Sequence, residues 1–217
     1  MSKNIQGVMG LYKGKVGTIV GFIWKGLQLQ RGLTWGSNPN TRPQRIIRSR
    51  FAAIGALGGK FLDALQIGLK KYAQNQKSTE VGEFVKLNWA QVTATSPEAV
   101  TIDYTGLQIA KGGLKGVDFG NPQFDNPLEV AIDITPNTEA ASADADDLVY
   151  TMLYCPDLDS VLMPARVTRS TPTITINVPN SWNGQRVYIY GFTVGDADNR
   201  WKGVCSDSAY IGSGTIS

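Results

Sequence analysis

From about residue 98 onward the chain is a series of short alternating runs: AVTIDYTGLQIA, PLEVAIDITP, DLVYTMLYCP, SVLMPARVT, TPTITINVP, RVYIYGFTV and KGVCSDSAYIG. Gly, Pro, Asn and Asp separate them. Successive side chains in a strand point to opposite faces, so a period of two broken by frequent turn residues is the mark of an antiparallel β-sandwich. The closing runs have the form of the last strands of an immunoglobulin-like or fibronectin-like unit. Tyr188, Tyr190 and Phe192 alternate with Val187, Ile189 and Gly191. Apolar character at both phases predicts a strand packed on both faces.

The N-terminal part reads differently. Residues 15–24 and 27–33 alternate as two strands joined at Lys25-Gly26, a short hairpin turn. Leu27 and Leu29 alternate with Gln28 and Gln30, which predicts one apolar and one polar face. Glycines at 14, 17, 21, 26 and 32 weaken such strands on their own account. That cost makes sense if another backbone packs on the hairpin or if bulges bend it; local turns are the plainer alternative. A loop, SNPNTRPQ, then leads into a helix, with Thr41 and Gln44 forming a T-x-x-Q capping signature. Ile47, Phe51, Ile54, Phe61, Leu65, Leu69 and Tyr72 recur at helical spacing, and Gly55, Gly58 and Gly59 predict a kink, a break or a close contact with the hairpin. A second helix is expected from about Thr79 to Gln91, with Val81, Phe84, Val85 and Trp89 on one face. The fold class is therefore mainly β with an α segment. The composition shift near residue 95 divides it into a basic hairpin-and-helix region, 1–95, and an immunoglobulin-like β-sandwich, 96–217.

Charge sharpens that division. Residues 1–77 hold 13 Lys and Arg against one acid, Asp63, a net of +12; residues 78–217 hold 8 against 17 acids, a net of −9. A basic part of this kind meets nucleic acid, an acidic membrane surface or the acidic part of a neighbouring copy; a merely solvated surface is the bland alternative. Arg42, Arg45 and Arg48 stand at a helix start, where positive side chains oppose the macrodipole, and so call for an anionic partner outside.

Several chemistries are disfavoured. The sequence has no histidine, which removes Ser-His-Asp and Cys-His activation and histidine metal ligands. Cys155 and Cys205 are too few for a zinc site or a disulfide framework and read as reduced core thiols, a disulfide being the minority reading. IGALGGK at 54–60 resembles a phosphate loop only faintly, because no strand precedes it and Phe61 follows Lys60. Asp144, Asp146 and Asp147, and the pairs Asp157/Asp159 and Asp196/Asp198, lack the order of a calcium loop and read as solvated turns. No cofactor, metal or small-molecule substrate is expected. No apolar run reaches membrane-spanning length, and the start, MSKNIQGVMGLYKGK, lacks a signal-peptide core, so synthesis in a cytoplasm is expected.

The segments KVGTIVGFIWKGLQLQR, NTRPQRIIRSRF and VPNSWNGQRVYIYGFTVGDADNRW…SDSAYIG resemble a family of uncharacterised proteins of Bacteroidetes, with relatives among phage genes. The KVG-x-x-x-G-x-x-WKG hairpin is the most specific element, and Phe22 and Ile23 depart from the smaller or polar residues other members often carry. The resemblance spans nearly the whole chain and implies the same organisation, with no activity, cofactor or catalytic residue attached.

Two function classes follow. The first is a non-enzymatic structural subunit of a larger assembly, in its finer form a phage virion component (capsid-decorating, connector or tail-associated), in the virion if phage-encoded. It would dock on other protein subunits through Lys13, Lys15, Trp24, Lys25, Gly26, Arg31, Trp35, Arg42, Arg45, Arg48 and Arg50. Glycine allows close main-chain approach, and Trp24 and Trp35 suit interface anchors. The alternative is an accessory protein that contacts nucleic acid through the same basic region without sequence specificity. Tyr12, Phe22, Trp24 and Trp35 are the aromatic residues near that basic set.

Overall fold

A computed structural model of the chain describes residues 13–34, 38–138, 142–196 and 201–217. Tyr12, Trp35 and Asp198, singled out above, lie outside these residues. The chain divides into two compact units, Met1–Thr41 and Arg42–Ser217.

In the first unit, β1 (Gly14–Val16), β2 (Ile19–Trp24) and β3 (Leu27–Gly32) form one antiparallel sheet in that order. The strand expected over 15–24 is thus two strands. Val16 pairs with Ile19, leaving Gly17 and Thr18 as a two-residue turn with Gly17 at φ +58°. Trp24 pairs with Leu27, and the intervening Lys25 and Gly26 have φ of +47° and +75°. Two positive φ values make this a type I′ turn, whose twist matches that of the strands it joins. Glycine takes that conformation at low steric cost; Lys25 holds it against its side chain.

The second unit begins with α1 (Arg42–Lys60), directly after Thr41, where the capping signature puts it. α1 runs unbroken through Gly55, Gly58 and Gly59, the expected place of interruption; the breaks fall later, at Phe61 and Leu69, giving α2 (Leu62–Gly68) and α3 (Lys70–Asn75). Gly58 is the glycine of that stretch with a packing role: a Cβ there would stand 3.1 Å from Val81 and Phe84. Those residues belong to α4 (Glu80–Leu87), whose N-cap Thr79 accepts a hydrogen bond from the Gly82 amide. A 3-10 turn, Trp89–Gln91, completes the second helical segment.

The strands follow as a small hairpin, β4 (Val92–Ala94) with β5 (Val100–Ile102), and two larger sheets. One sheet runs β11 (Thr173–Asn177), β7 (Glu129–Thr135), β6 (Asp118–Phe119). The other runs β10 (Val167–Thr168), β8 (Leu148–Cys155), β12 (Arg186–Val194), β13 (Ala209–Thr215), with β9 (Ser160–Leu162) also on β8. All pairings are antiparallel. Val149, Leu153 and Cys155 of β8 and Val187 and Ile189 of β12 meet Val130, Ile132, Ile174 and Ile176 of the smaller sheet. This is the sandwich core, and the mainly β fold with its helical segment and N-terminal hairpin is as the sequence reads.

The opposite face of β8 and β12 is buried as well. Met152, Tyr154, Tyr190 and Phe192 share one cluster with Ile54, Phe61, Leu65 and Phe84 of the helical segment. The doubly buried strand expected at 187–192 is thus β12, and the helices form a third layer on its outer side. This is why the division of the chain falls at Thr41/Arg42 and not near residue 95: the composition shifts near 95, but the apolar faces on either side of that point are fitted to each other. Gly191 makes room within the sandwich. A Cβ there would lie 2.4 Å from the ring of Phe119, so the aromatic ring of one sheet occupies the space that a side chain on the other would fill.

Candidate interaction surface

The register of the hairpin unit fixes which residues share a face, because directly opposed residues of antiparallel strands project together. Lys15 pairs with Val20 and Val20 with Arg31, so two cations flank a valine in one row. The same face carries Phe22, Trp24, Leu27 and Leu29. The other face carries Gln28 and Gln30, as expected of a polar face, but also Val16, Ile19 and Ile23. That face is therefore mixed and not polar: the alternation in β3 does not continue in β1 and β2. Val16, Ile19, Ile23 and Trp24 are exposed by 42, 39, 55 and 42%. Lys13, Lys15, Lys25 and Arg31 are exposed too, with the Lys25 ammonium 5.3 Å from the centre of the Trp24 ring. No acidic residue occurs before Asp63, so the sheet carries only positive charge. Gly14, Gly17, Gly26 and Gly32 each have open space where a Cβ would stand.

The second part of the expected site lies on α1 of the other unit. Arg42, Arg45 and Arg48 are exposed in its first two turns, with no acid in the first turn. Ile47 and Phe51, expected to face the core, are 55 and 59% exposed. The core begins one turn later, at Ile54, where α4 and the β4–β5 hairpin pack on the helix. Arg50 stands apart from the other arginines. Its guanidinium lies 4.3 Å over the Trp89 ring and donates to the Trp89 carbonyl at 3.0 Å, so it joins α1 to the turn after α4. That contact packs α1 within the unit.

The remaining candidates resolve into structural roles. IGALGGK lies inside α1 and forms no phosphate loop. Cys155 and Cys205 are buried free thiols, and burial pushes the Cys205 thiol up to about 11. Asp147, expected in a solvated turn, is buried: its carboxylate accepts from the Arg169 guanidinium at 3.0 Å and from the Asp144 amide at 2.9 Å. Arg169 is itself 0% exposed and also donates to the carbonyls of Pro136 and Lys115 at 2.8 and 2.5 Å. It ties three loops at one end of the sandwich, and the sequence offers no local sign of it, since Asp147 and Arg169 stand 22 positions apart. Asp159 pairs with Lys60 at 2.7 Å and accepts from the Tyr154 hydroxyl at 3.3 Å, beside a depression of about 390 Å³ lined by Phe61, Val161 and Met163. Burial holds the Tyr154 and Tyr190 hydroxyls well above the ordinary tyrosine value, and Tyr190 donates to the Tyr104 carbonyl at 2.6 Å. Among the described residues no group of His, Cys, Asp or Glu is arranged to hold a metal ion. Among them also, no helix is long and apolar enough to cross a membrane.

A search of the curated proteins finds no match. Among solved structures, the chain is similar to the fn3 domain of the human collagen alpha-1(XX) chain. The identity is 9% and the TM-score 0.34, over 48% of this chain and 87% of that one. The sandwich assignment rests on the strand pairing described above and not on that partial likeness. The sequence matches one family over residues 11–212, nearly its full length, and the chain belongs to the family of unknown function DUF6266.

Proposed function

We propose that the chain is a non-enzymatic structural subunit of a larger assembly and that its N-terminal hairpin unit docks on a neighbouring protein. One observation carries this reading. A three-stranded sheet without a single acid exposes Trp24 with Lys15 and Arg31 on one face and Val16, Ile19 and Ile23 on the other, with Lys13 and Lys25 also exposed. Exposed apolar side chains grouped with charge of one sign are the composition of a protein interface, with an aromatic anchor and a charged rim. The absence of histidine from the sequence supports the non-enzymatic part. In its finer form the reading makes the chain a phage virion component, capsid-decorating, connector or tail-associated. The family resemblance described in the sequence analysis supports that form.

The second reading, a non-specific nucleic-acid accessory protein, draws on the same cations. The exposed Val16, Ile19 and Ile23 favour the first, because aliphatic side chains offer a phosphate backbone nothing. The test is the elution of the tagged full chain from nuclease-treated native extract. The wild type is expected well above its own 23.5 kDa. The Lys15→Glu/Arg31→Glu variant, melting at the wild-type temperature, is expected at the monomer position. Loss of the large species on nuclease treatment alone would favour the nucleic-acid reading.

A further inference from the structure

The sequence holds two charge blocks of opposite sign and equal size. The first 62 residues contain ten Lys and Arg and no acid; residues 116–165 contain ten acids and no Lys or Arg. The acidic block includes β6 and β7, two of the three strands of the smaller sheet. Val130, Ile132 and Ile134 of β7 and Ile174 and Ile176 of β11 point into the sandwich. The alternate residues therefore form the outer face: Glu129 and Asp133 on β7, Asp118 opposite Thr135, and Thr173, Thr175 and Asn177 on β11. Asp118 and Asp133 are diagonal neighbours on paired strands, a separation at which like charges repel. Among the described residues the ion pairs are Lys60–Asp159, Lys86–Glu83 and Arg169–Asp147, and none of them neutralises this face.

Building on the docking role proposed above, we infer that the partner of the hairpin unit is a second copy of this chain, seated on the outer face of its β11–β7–β6 sheet. The two charge rows have matching scale. Lys15 and Arg31 are two strand spacings apart, about 10 Å, and Glu129 and Asp133 are four residues apart along β7, about 13 Å. Long cationic side chains span the difference. The two patches differ, so the contact is head-to-tail: each copy offers one hairpin and one sheet face, and repetition closes a ring or extends a filament. Unlike-charged surfaces of this kind set partner choice and register, and they weaken with salt.

Sedimentation velocity of the full chain tests this over a concentration series at low and high salt. Self-association is expected at low salt, with the dissociation constant rising about tenfold or more between roughly 50 and 500 mM salt. Hairpin reversal (Lys15→Glu/Arg31→Glu) and sheet reversal (Asp118→Lys/Glu129→Lys) should each leave a monomer with the wild-type melting temperature. Mixed one to one, the two variants should associate again, because the intact hairpin of one meets the intact sheet face of the other and the reversed hairpin meets the reversed sheet face. A chain carrying both reversals should associate again. If the wild type assembles and only the hairpin reversal dissolves it, the sheet is not the acceptor and this inference is overturned while the docking role stands. If neither reversal dissolves it, both fail. A wild type that is monomeric at every salt and concentration, or that associates only with duplex DNA, also overturns the second-copy partner.

Discussion

Replacing Arg169 with methionine keeps much of the side-chain volume and removes the charge. Three acceptors then lose their donor: the Asp147 carboxylate and the Pro136 and Lys115 carbonyls. The carboxylate is the costly one, since the Asp147 side chain is 2% exposed and the Asp144 amide is a neutral donor that does not replace the lost charge. Breaking a buried ion pair by deleting one partner costs about 3–5 kcal/mol. For a chain of this size each kcal/mol moves the melting temperature by about 2–4 °C, so a fall of about 6–20 °C is expected at pH 7. The double variant Arg169→Met/Asp147→Leu removes the stranded charge together with its partner. It should be more stable than Arg169→Met alone by about 2 kcal/mol or more, which a double-mutant cycle from urea unfolding measures directly. A single variant costing less than about 1 kcal/mol, or a double variant less stable than the single, would refute the clamp as drawn here.

Gly191→Ala should destabilise by about 1–3 kcal/mol, and Phe119→Leu in the same chain should recover part of the loss, because the clash is between those two positions. Cys205 should resist a thiol reagent at pH 8 in the native protein and react on unfolding. Its thiol titrates at about 11, against 9.0 for an ordinary cysteine, so the folded chain keeps a proton that the unfolded chain releases. The stability linked to that proton is complete below pH 9 and is lost as pH rises toward 11, visible as a falling melting temperature over that window. A fragment from Arg42 to Ser217 should unfold cooperatively, whereas one from Ser96 should be aggregation-prone, since it bares Met152, Tyr154, Tyr190 and Phe192 where Ile54, Phe61, Leu65 and Phe84 covered them. A soluble, cooperative Ser96 fragment would show that the helices add little to the core.

How far the sequence reveals this arrangement depends on how local the determining interaction is. The β12 strand is legible because Tyr188, Tyr190 and Phe192 fill one face and Val187 and Ile189 the other within a single short run. The starts of α1 and α4 are legible because the Thr41 signature and Thr79 stand directly before the first residues of the two helices. The domain boundary is not, because it depends on which apolar faces meet, and Phe61 meets Tyr154 across more than ninety positions. The Gly17–Thr18 turn hides inside a run that alternates through it, and only the pairing of Val16 with Ile19 reveals it. The hairpin's charge is plain in the sequence. That Lys15 and Arg31 share a row, and that Arg50 turns aside to Trp89, are facts of register and packing.

The claim at the centre of this account is that the hairpin unit meets protein. A photo-crosslinking amino acid placed at Trp24, 42% exposed and on the same face of the sheet as Lys15 and Arg31, tests it inside the cell where the chain is made. Gln74, exposed on α3, serves as the control position. The account predicts a discrete protein adduct at Trp24, little at Gln74, and loss of the adduct when Lys15→Glu/Arg31→Glu is added. Equal yields at the two positions, or adducts at Trp24 that contain only nucleic acid, would contradict it.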